Sequence, residues 1–396
     1  MNSRTIKTLL GPVLCALVYF LLPGSIFAEP GARLAIGTVA WMAFWWITAP
    51  VEYAVTAFLP IGLNAVFTMT EMQTVISNYA SETILLLLGA SVLTVSWGEV
   101  GLDKRIAAGF LSLVGGNLRT QLIFWFILSA SLSAILPNAV VCATITPIAV
   151  SMLNYVGEKN IGESKTASLV LLTIVYATGV GGLASPLGGA MNLVAVDYIE
   201  KVTGQEYMYT SWVVRFLPIM IVLILSNLAY LLFVCKKGTT LGGSKEYFKK
   251  QFEALPKMTR EEKWSFVLFA IATIMSFTRQ FYQSFLPGLK PAYVFIICAI
   301  VAFFITHKDG TRLMMWKNAE KKIVWELMYV FAGGLAAGTL INGSGAAEAI
   351  GKAMAASDMD GGFMTVFAIV TLTVLLSDVT SNTATAAVSL PIVISI

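Results

Sequence analysis

Two stretches of this sequence set an asparagine between apolar runs. One reads Leu132-Ser133-Ala134-Ile135-Leu136-Pro137-Asn138-Ala139, the other Leu376-Ser377-Asp378-Val379-Thr380-Ser381-Asn382-Thr383-Ala384-Thr385. The flanking runs are too short or too kinked to stand alone. An Asn at the tip of such a break puts its amide and the unpaired backbone groups around it at membrane depth. Non-helical backbone is tolerated there only where it is buried in protein or lines a cavity. Helix N-termini at a break offer free N–H groups to an anion. Freed carbonyls beside Ser, Thr and Asn oxygens suit a hard cation such as sodium. The plain alternative is a polar turn between helices.

A third stretch, Gly179-Val180-Gly181-Gly182-Leu183-Ala184-Ser185-Pro186-Leu187-Gly188-Gly189-Ala190-Met191-Asn192, lets backbone approach a ligand closely. It lacks the Lys-Ser/Thr ending of a phosphate loop. A glycine packing face would explain the glycines but not Pro186 and Asn192. Among the acids, Asp378 stands beside the second asparagine, where it serves either proton or cation coupling or a helix cap. Glu82 and Glu326 each begin an apolar run, which suits an interfacial carboxylate in water. No Ser/His/Asp, metal or nucleotide arrangement appears, so the sequence is read as a non-enzyme with no organic cofactor.

The elements that would hold these groups follow from composition. Of 396 residues 57% are hydrophobic and 12% charged, against about 25% charged in a soluble domain. The 32 Gly and 9 Trp suit packed membrane helices with interfacial Trp. Cys15, Cys142, Cys235 and Cys298 all lie in or beside apolar runs and are read as buried thiols. The single histidine, His307, cannot supply a His-rich metal site. Arg4, Lys7 and the apolar run to Leu22 could pass for a secretory signal; a first membrane helix is favoured because further spans follow at once.

Apolar runs fall at 8–22, 35–67, 81–100, 120–136, 140–155, 167–183 and 212–235, then at 264–281, 292–306, 323–341 and 361–396. A span needs about 20 residues. The 35–67 run is too long for one helix, and Pro50, Pro60 and Glu52 should break it into two short pieces. Between the halves, residues 236–263 carry eight Lys or Arg against four acids. That linker and the N-terminus with Arg4 and Lys7 are expected on the cytoplasmic side. Six crossings then fit the first half, with 120–155 as a hairpin that enters and returns. Binding of anionic membrane lipid by the linker is compatible with this topology.

The halves also repeat. At a shift of 244 residues, Glu82 falls on Glu326, Gly89 on Gly333, Gly101 on Gly345 and Ile106 on Ile350. Leu132 and Ser133 fall on Leu376 and Ser377, Asn138 on Asn382, Ala143 on Ala387, Pro147 and Ile148 on Pro391 and Ile392, and Ser151 on Ser395. Matched Gly, Asn and Pro in one register are hard to obtain by chance. Two related halves with a site between broken helices near the midplane is a transporter plan. The domains expected are a first repeat at 1–235, a basic linker at 236–263 and a second repeat at 264–396. The first repeat continues for 84 residues beyond Ser151, whereas only Ile396 follows Ser395. The second repeat is therefore expected to be C-terminally incomplete, lacking a Gly-rich turn and a helix.

The paired Asn-centred hairpins, the second with Ser381-Asn382-Thr383, resemble the divalent anion/sodium symporter family. So do Trp45-Trp46-Ile47-Thr48 followed by Ala54-Val55-Thr56, and Gly181-Gly182-Leu183-Ala184-Ser185-Pro186-Leu187-Gly188. The resemblance runs from about residue 8 to the end. It implies a homodimer that carries dicarboxylate, citrate or sulfate by an elevator-like motion, commonly with sodium. By position it implies a sodium site at Ser133, Pro137, Asn138 and Gly188, and a second at Ser377, Thr380 and Asn382. The substrate would meet Asn138, Ala139, Gly189, Asn382 and Thr383. Three departures stand out. Pro137-Asn138-Ala139 occupies a place where the family has Ser-Asn-Thr, so two hydroxyls are lost. Gly189-Ala190-Met191-Asn192 stands where Ser/Thr-Pro-Pro-Asn is usual. Ala49 sits where the family has a carboxylate, with Glu52 nearby.

The expectation is an all-α polytopic membrane protein with two inverted repeats, re-entrant hairpins and broken helices. It would be a multi-pass protein of the cell membrane, moving a small anion with sodium and having no nucleic-acid partner. No Arg or Lys lies near either tip, so bound sodium and helix dipoles would match the substrate charge. Two alternatives remain open. One is a sodium/proton or arsenite transporter of the wider superfamily, with Asp378 essential. The other is a membrane sensor or scaffold that binds anions without moving them.

Overall fold

The computed structural model describes residues 2–158, 160–307, 309–355 and 362–379, and, beyond these, residues 382, 385, 386, 389, 390 and 393. Among the described residues all regular structure is helical, and the paired backbone is confined to isolated bridges, Asn117 with Thr240 and Thr306 with Arg312. The chain begins with α1 (Ser3–Leu21), α2 (Pro30–Thr48), α3 (Tyr53–Thr56), α4 (Leu59–Phe67) and α5 (Met72–Ser77), which passes through a 3-10 turn into α6 (Glu82–Val100). Next come α7 (Leu102–Leu111), α8 (Leu118–Ser133), α9 (Asn138–Tyr155), α10 (Lys165–Gly182), α11 (Ala190–Thr203) and α12 (Tyr209–Val234). The remainder is α13 (Ser244–Glu253), α14 (Arg260–Phe277), α15 (Arg279–Tyr282), α16 (Pro291–Ala302), α17 (Trp316–Ala319), α18 (Trp325–Gly343), α19 (Ala346–Ala355) and α20 (Phe363–Val379).

Four helical segments among the described residues are long and apolar enough to cross a membrane: α1, Met72–Val100, α10 and α12. A fifth is the bent pair of α18 and Ala346–Lys352, which turns by 64°. Shorter apolar helices include α8, α16 and Val140–Tyr155, too short to span alone and suited to a hairpin or a broken span. The 35–67 run breaks where Pro50 disfavours helix at the preceding residue. Ala49 there takes a left-handed φ of 43°. The piece before the break is no fragment, because it starts at Pro30 and forms 19 residues of α2. Pro60 opens α4 rather than breaking a helix, since its missing N–H costs nothing in a first turn.

The structure divides into two compact units, described separately. The first comprises Met1–Leu87, Val194–Gln205 and Val324–Ile396. Its centre is α18, where Met328, Val330–Gly338, Leu340 and Ile341 are buried. Ala35, Met42 and Trp46 of α2 pack with Ala336, Leu340 and Ile341. Polar groups are paired as burial demands. Trp46 Nε1 donates to the Tyr53 carbonyl at 3.1 Å, and Asn78 Nδ2 to Thr339 Oγ1 at 2.9 Å.

The second unit comprises Leu88–Leu193 and Glu206–Ile323. Here α8 lies along α10, and the amphipathic α13 of the basic linker buries Phe248 against Trp125. Gln121 ties α13 down, its Nε2 donating to the Gly115 carbonyl at 3.0 Å and to Ser244 Oγ at 3.1 Å. Two partly buried ion pairs join distant segments. Arg105 Nε meets Glu262 Oε1 at 2.7 Å, and Arg279 Nε meets Glu206 Oε1 at 2.8 Å. Arg279 also donates to the carbonyls of Leu286 and Pro287. Glu262 completes a capping box with Thr259 at the start of α14. His307 Nδ1 lies 3.6 Å from Glu261. Cys15, Cys235 and Cys298 are buried free thiols, but Cys142 is only half-buried, its Sγ 3.1 Å from Thr178 Oγ1.

The 244-residue offset reappears in the helix boundaries. Helix α7 at 102–111 falls on α19 at 346–355, and α6 and α18 have 19 residues each with starts one residue out of register. Between them Gly101 has φ 72° and Gly345 φ 79°, left-handed values that glycine adopts without steric cost.

Candidate functional site

Helix α8 ends at Ser133 and α9 begins at Asn138, with Pro137 as its N-cap residue in extended conformation. Helix α10 ends at Gly182 and α11 begins at Ala190, so residues 183–189 form an unwound link. These two breaks meet. A Cβ on Gly188 would stand 2.4 Å from the Ser133 carbonyl oxygen and 2.8 Å from that of Gly182. A Cβ on Gly182 would stand 3.0 Å from Asn138 Nδ2, 3.1 Å from Asn138 Oδ1 and 3.1 Å from the Gly188 carbonyl oxygen. Three carbonyl oxygens and the Asn138 amide are thus gathered around a pair of glycines, and side chains on those glycines would fill the space.

The gathering is held by side chains that reach across the two breaks. Ser133 Oγ donates to the Thr178 carbonyl at 2.7 Å. Ser185 Oγ donates to the Ala134 carbonyl at 2.5 Å and accepts from the N–H groups of Leu187 and Gly188. Asn192 Nδ2 donates to the carbonyls of Gly182 at 2.8 Å and Ser185 at 2.9 Å. Trp212 Nε1 holds the Leu183 carbonyl at 2.9 Å. Ser133, Ser185 and Asn192 are all buried, so each bond contributes about 0.5–1.5 kcal/mol and each lost partner costs more.

The chemistry divides by helix end. Helices α8 and α10 bring C-termini, whose outward carbonyls favour a cation. Helices α9 and α11 bring N-termini, which favour an anion. Neither break carries a charged residue in its own sequence. Pro137 has a further effect. It stands four residues after Ser133 and has no N–H, so it cannot occupy the Ser133 carbonyl as an ordinary helical residue would.

Of the residues expected from sequence, Ser133, Asn138 and Gly188 come together here, with Pro137 at the tip. Ser133 turns its carbonyl toward the glycine pair and its hydroxyl to Thr178. Gly189 lies beside the Asn192 amide, within 3.0 Å of it for an added Cβ. Ala139 is the second residue of α9. In the other half, Ser377 lies in α20 and its Oγ donates to Asn382 Oδ1 at 2.9 Å. Asp378 is exposed near the end of that helix. Thr380 and Thr383 lie outside the described residues. Glu326 is exposed and Glu82 half-buried, each in the first turn of its helix. Sequence reasoning did not assign roles to Gly182, Ser185 and Asn192. The signal for Asn192 was that it is the one amide in the Gly-rich stretch 179–192.

A sequence model of the citrate transporter family, CitMHS, matches residues 43–396. The chain is 26% identical over 404 residues to the sodium-dependent dicarboxylate transporter SdcS of Staphylococcus saprophyticus, covering 98% of this chain and 78% of that protein. It is 27% identical over 406 residues to the protein of the same name from Staphylococcus aureus strain RF122, covering 98% and 77%. With nine-tenths of its length matched by the family model and its helices broken around a carbonyl-lined centre, this chain belongs to the citrate transporter family and is a polytopic membrane transport protein.

Proposed function

We propose that this chain is a secondary active transporter of dicarboxylate or citrate-type anions, coupled to sodium and seated in the cell membrane. The observation that carries the reading is the convergence of the Ser133, Gly182 and Gly188 carbonyls with the Asn138 amide. Sodium would sit among those oxygens, and the substrate carboxylates would meet Asn138 and the α9 and α11 N-termini. Coupling follows from charge. Neither break supplies Arg or Lys, so without the cation an anion faces only partial charges. That the two SdcS relatives are sodium-dependent dicarboxylate transporters favours sodium and a dicarboxylate.

The proposal includes a second sodium site at Ser377, Thr380 and Asn382, substrate contacts at Ala139, Gly189 and Thr383, and a coupling role for Asp378. It also includes two inverted repeats, an elevator-like motion in a homodimer, and a cytoplasmic N-terminus and 236–263 linker. Uptake of labelled succinate into proteoliposomes tests it, with citrate and sulfate as competitors and with or without an inward sodium gradient. Sodium-stimulated, competable uptake that Asn138→Ala abolishes is expected. Uptake indifferent to sodium would overturn the coupling, and absence of uptake of all three anions would overturn the substrate class.

A further inference from the structure

A cavity of about 560 Å³ lies in the second unit, where α7, α9 and α13 approach one another. None of its lining residues belongs to the candidate site. Its volume is in the range of about 300–1,000 Å³ that takes a ligand of some size. The walls are apolar, with Ala108 from α7, Phe248 from α13, and Ala143, Pro147 and Ile148 from α9. Lys104 and Gln251 stand among the polar lining residues and are exposed.

Two observations mark this space as built. First, Ala143, Pro147, Ile148 and Ser151 recur at the 244-residue offset as Ala387, Pro391, Ile392 and Ser395. Their spacing of four, one and three residues puts them on a single face of α9, and that face lines the cavity. Second, the charge around it is net positive, with three lysines on α13 against Glu246 and Glu253, the latter 3.8 Å from Lys249. Lys245, Lys249 and Lys250 are exposed on α13, and residues 236–263 carry eight Lys or Arg against four acids. Asp103 is the lining residue of opposite charge, and burial raises its pKa.

We infer that this cavity receives an acyl chain of an anionic membrane phospholipid, whose headgroup is held by Lys104 and the lysines of α13. A soluble carboxylate has no use for the apolar walls, and a neutral lipid has none for the lysines. Basic segments on the cytoplasmic side recruit anionic lipid. The occupant would pack against α9, the helix that begins with Asn138.

The test is photo-crosslinking of the purified full chain in phosphatidylcholine nanodiscs. The probe is phosphatidylglycerol with a diazirine on its acyl chain, and labelled peptides are mapped by mass spectrometry. Label is expected within residues 143–151 and 247–255. It should fall about ten-fold in Ala143→Phe, which fills the space, and also in Gln251→Trp, an exposed position that spares folding. Lys104→Gln should reduce it several-fold, and the matching phosphatidylcholine probe should label weakly. Label confined to other segments, or undiminished in both filled variants, overturns the site. Equal labelling by the phosphatidylcholine probe overturns the headgroup assignment, and efficient competition by a free fatty acid overturns the phospholipid as occupant. The readout needs no transport, so its failure is separate from failure of the sodium-coupled reading.

Discussion

Ser133 sends its two oxygens in different directions: the hydroxyl donates to the Thr178 carbonyl at 2.7 Å, while the carbonyl faces Gly188. At the sodium site proposed above, structure and ligation would thereby be separated within one residue. Ser133→Ala should remove a buried tie between α8 and α10, at about 0.5–1.5 kcal/mol. Sodium affinity should change little, since the carbonyl remains. Thermal unfolding of the purified protein and the sodium dependence of uptake together check this. A large loss of sodium affinity with unchanged melting would refute the separation.

Gly188→Ala makes the opposite demand. Its new methyl would fall 2.4 Å from the Ser133 carbonyl oxygen and 2.8 Å from that of Gly182. Overpacking of this kind costs about 1–3 kcal/mol, or about 5- to 150-fold in an equilibrium constant. The half-saturating sodium concentration should rise by a factor in that range. Sodium titration of uptake at fixed substrate measures it.

Pro137→Ala restores an N–H four residues after Ser133. That donor competes with a cation for the carbonyl at about 0.5–1.5 kcal/mol. Sodium affinity should fall several-fold while substrate affinity at saturating sodium holds. An unchanged sodium curve would mean that the proline acts only on chain direction.

Asn192→Leu leaves the carbonyls of Gly182 and Ser185 without the donor that now serves both. The loss should be about 2–4 kcal/mol, as two hydrogen bonds of roughly 1 kcal/mol each vanish and desolvation adds to them. Uptake should fall further than in Ser133→Ala, because Gly182 belongs to the site itself.

Asp103 gives a pH signature outside the spans. Burial is the largest influence on its carboxyl and raises its pKa, against the Lys104 N–H and charge, which lower it. A raised folded value means that the folded state holds the proton more tightly. Stability is therefore favoured below the unfolded value of about 3.9 and lost as pH rises through the folded value. Asp103→Asn should raise the melting temperature at neutral pH, with the gain vanishing below about pH 4. A gain that persists in acid would exclude titration as its cause.

Much of the helical plan was legible because apolar run length is a strong signal. The runs at 81–100, 167–183 and 212–235 became α6, α10 and α12 within a few residues. Breaks carried by Pro50 and by the Leu136-Pro137-Asn138 tip were legible for the same reason, since proline leaves a residue-type mark. The ties were not. Ser185 and Asn192 work by donating to main-chain carbonyls, which look alike in every residue. Arg279 and Glu206 are 73 residues apart, and nothing local links them. Cys142 was read as buried with the other thiols, yet it stands half-open beside Thr178, because its neighbours in space come from α10 rather than from its own run.

Gly101 and Gly345 bear a consequence about chirality. Each lies at the corner before a ten-residue helix, with φ of 72° and 79°. Around neither would an added Cβ find a heavy atom within 4 Å. There is ample room for a side chain at both corners, so size does not exclude one. The exclusion is of mirror form, since an L-residue resists this φ and a D-residue prefers it. A D-alanine at either place would seat without strain where L-alanine would not, and both halves of the chain would respond alike.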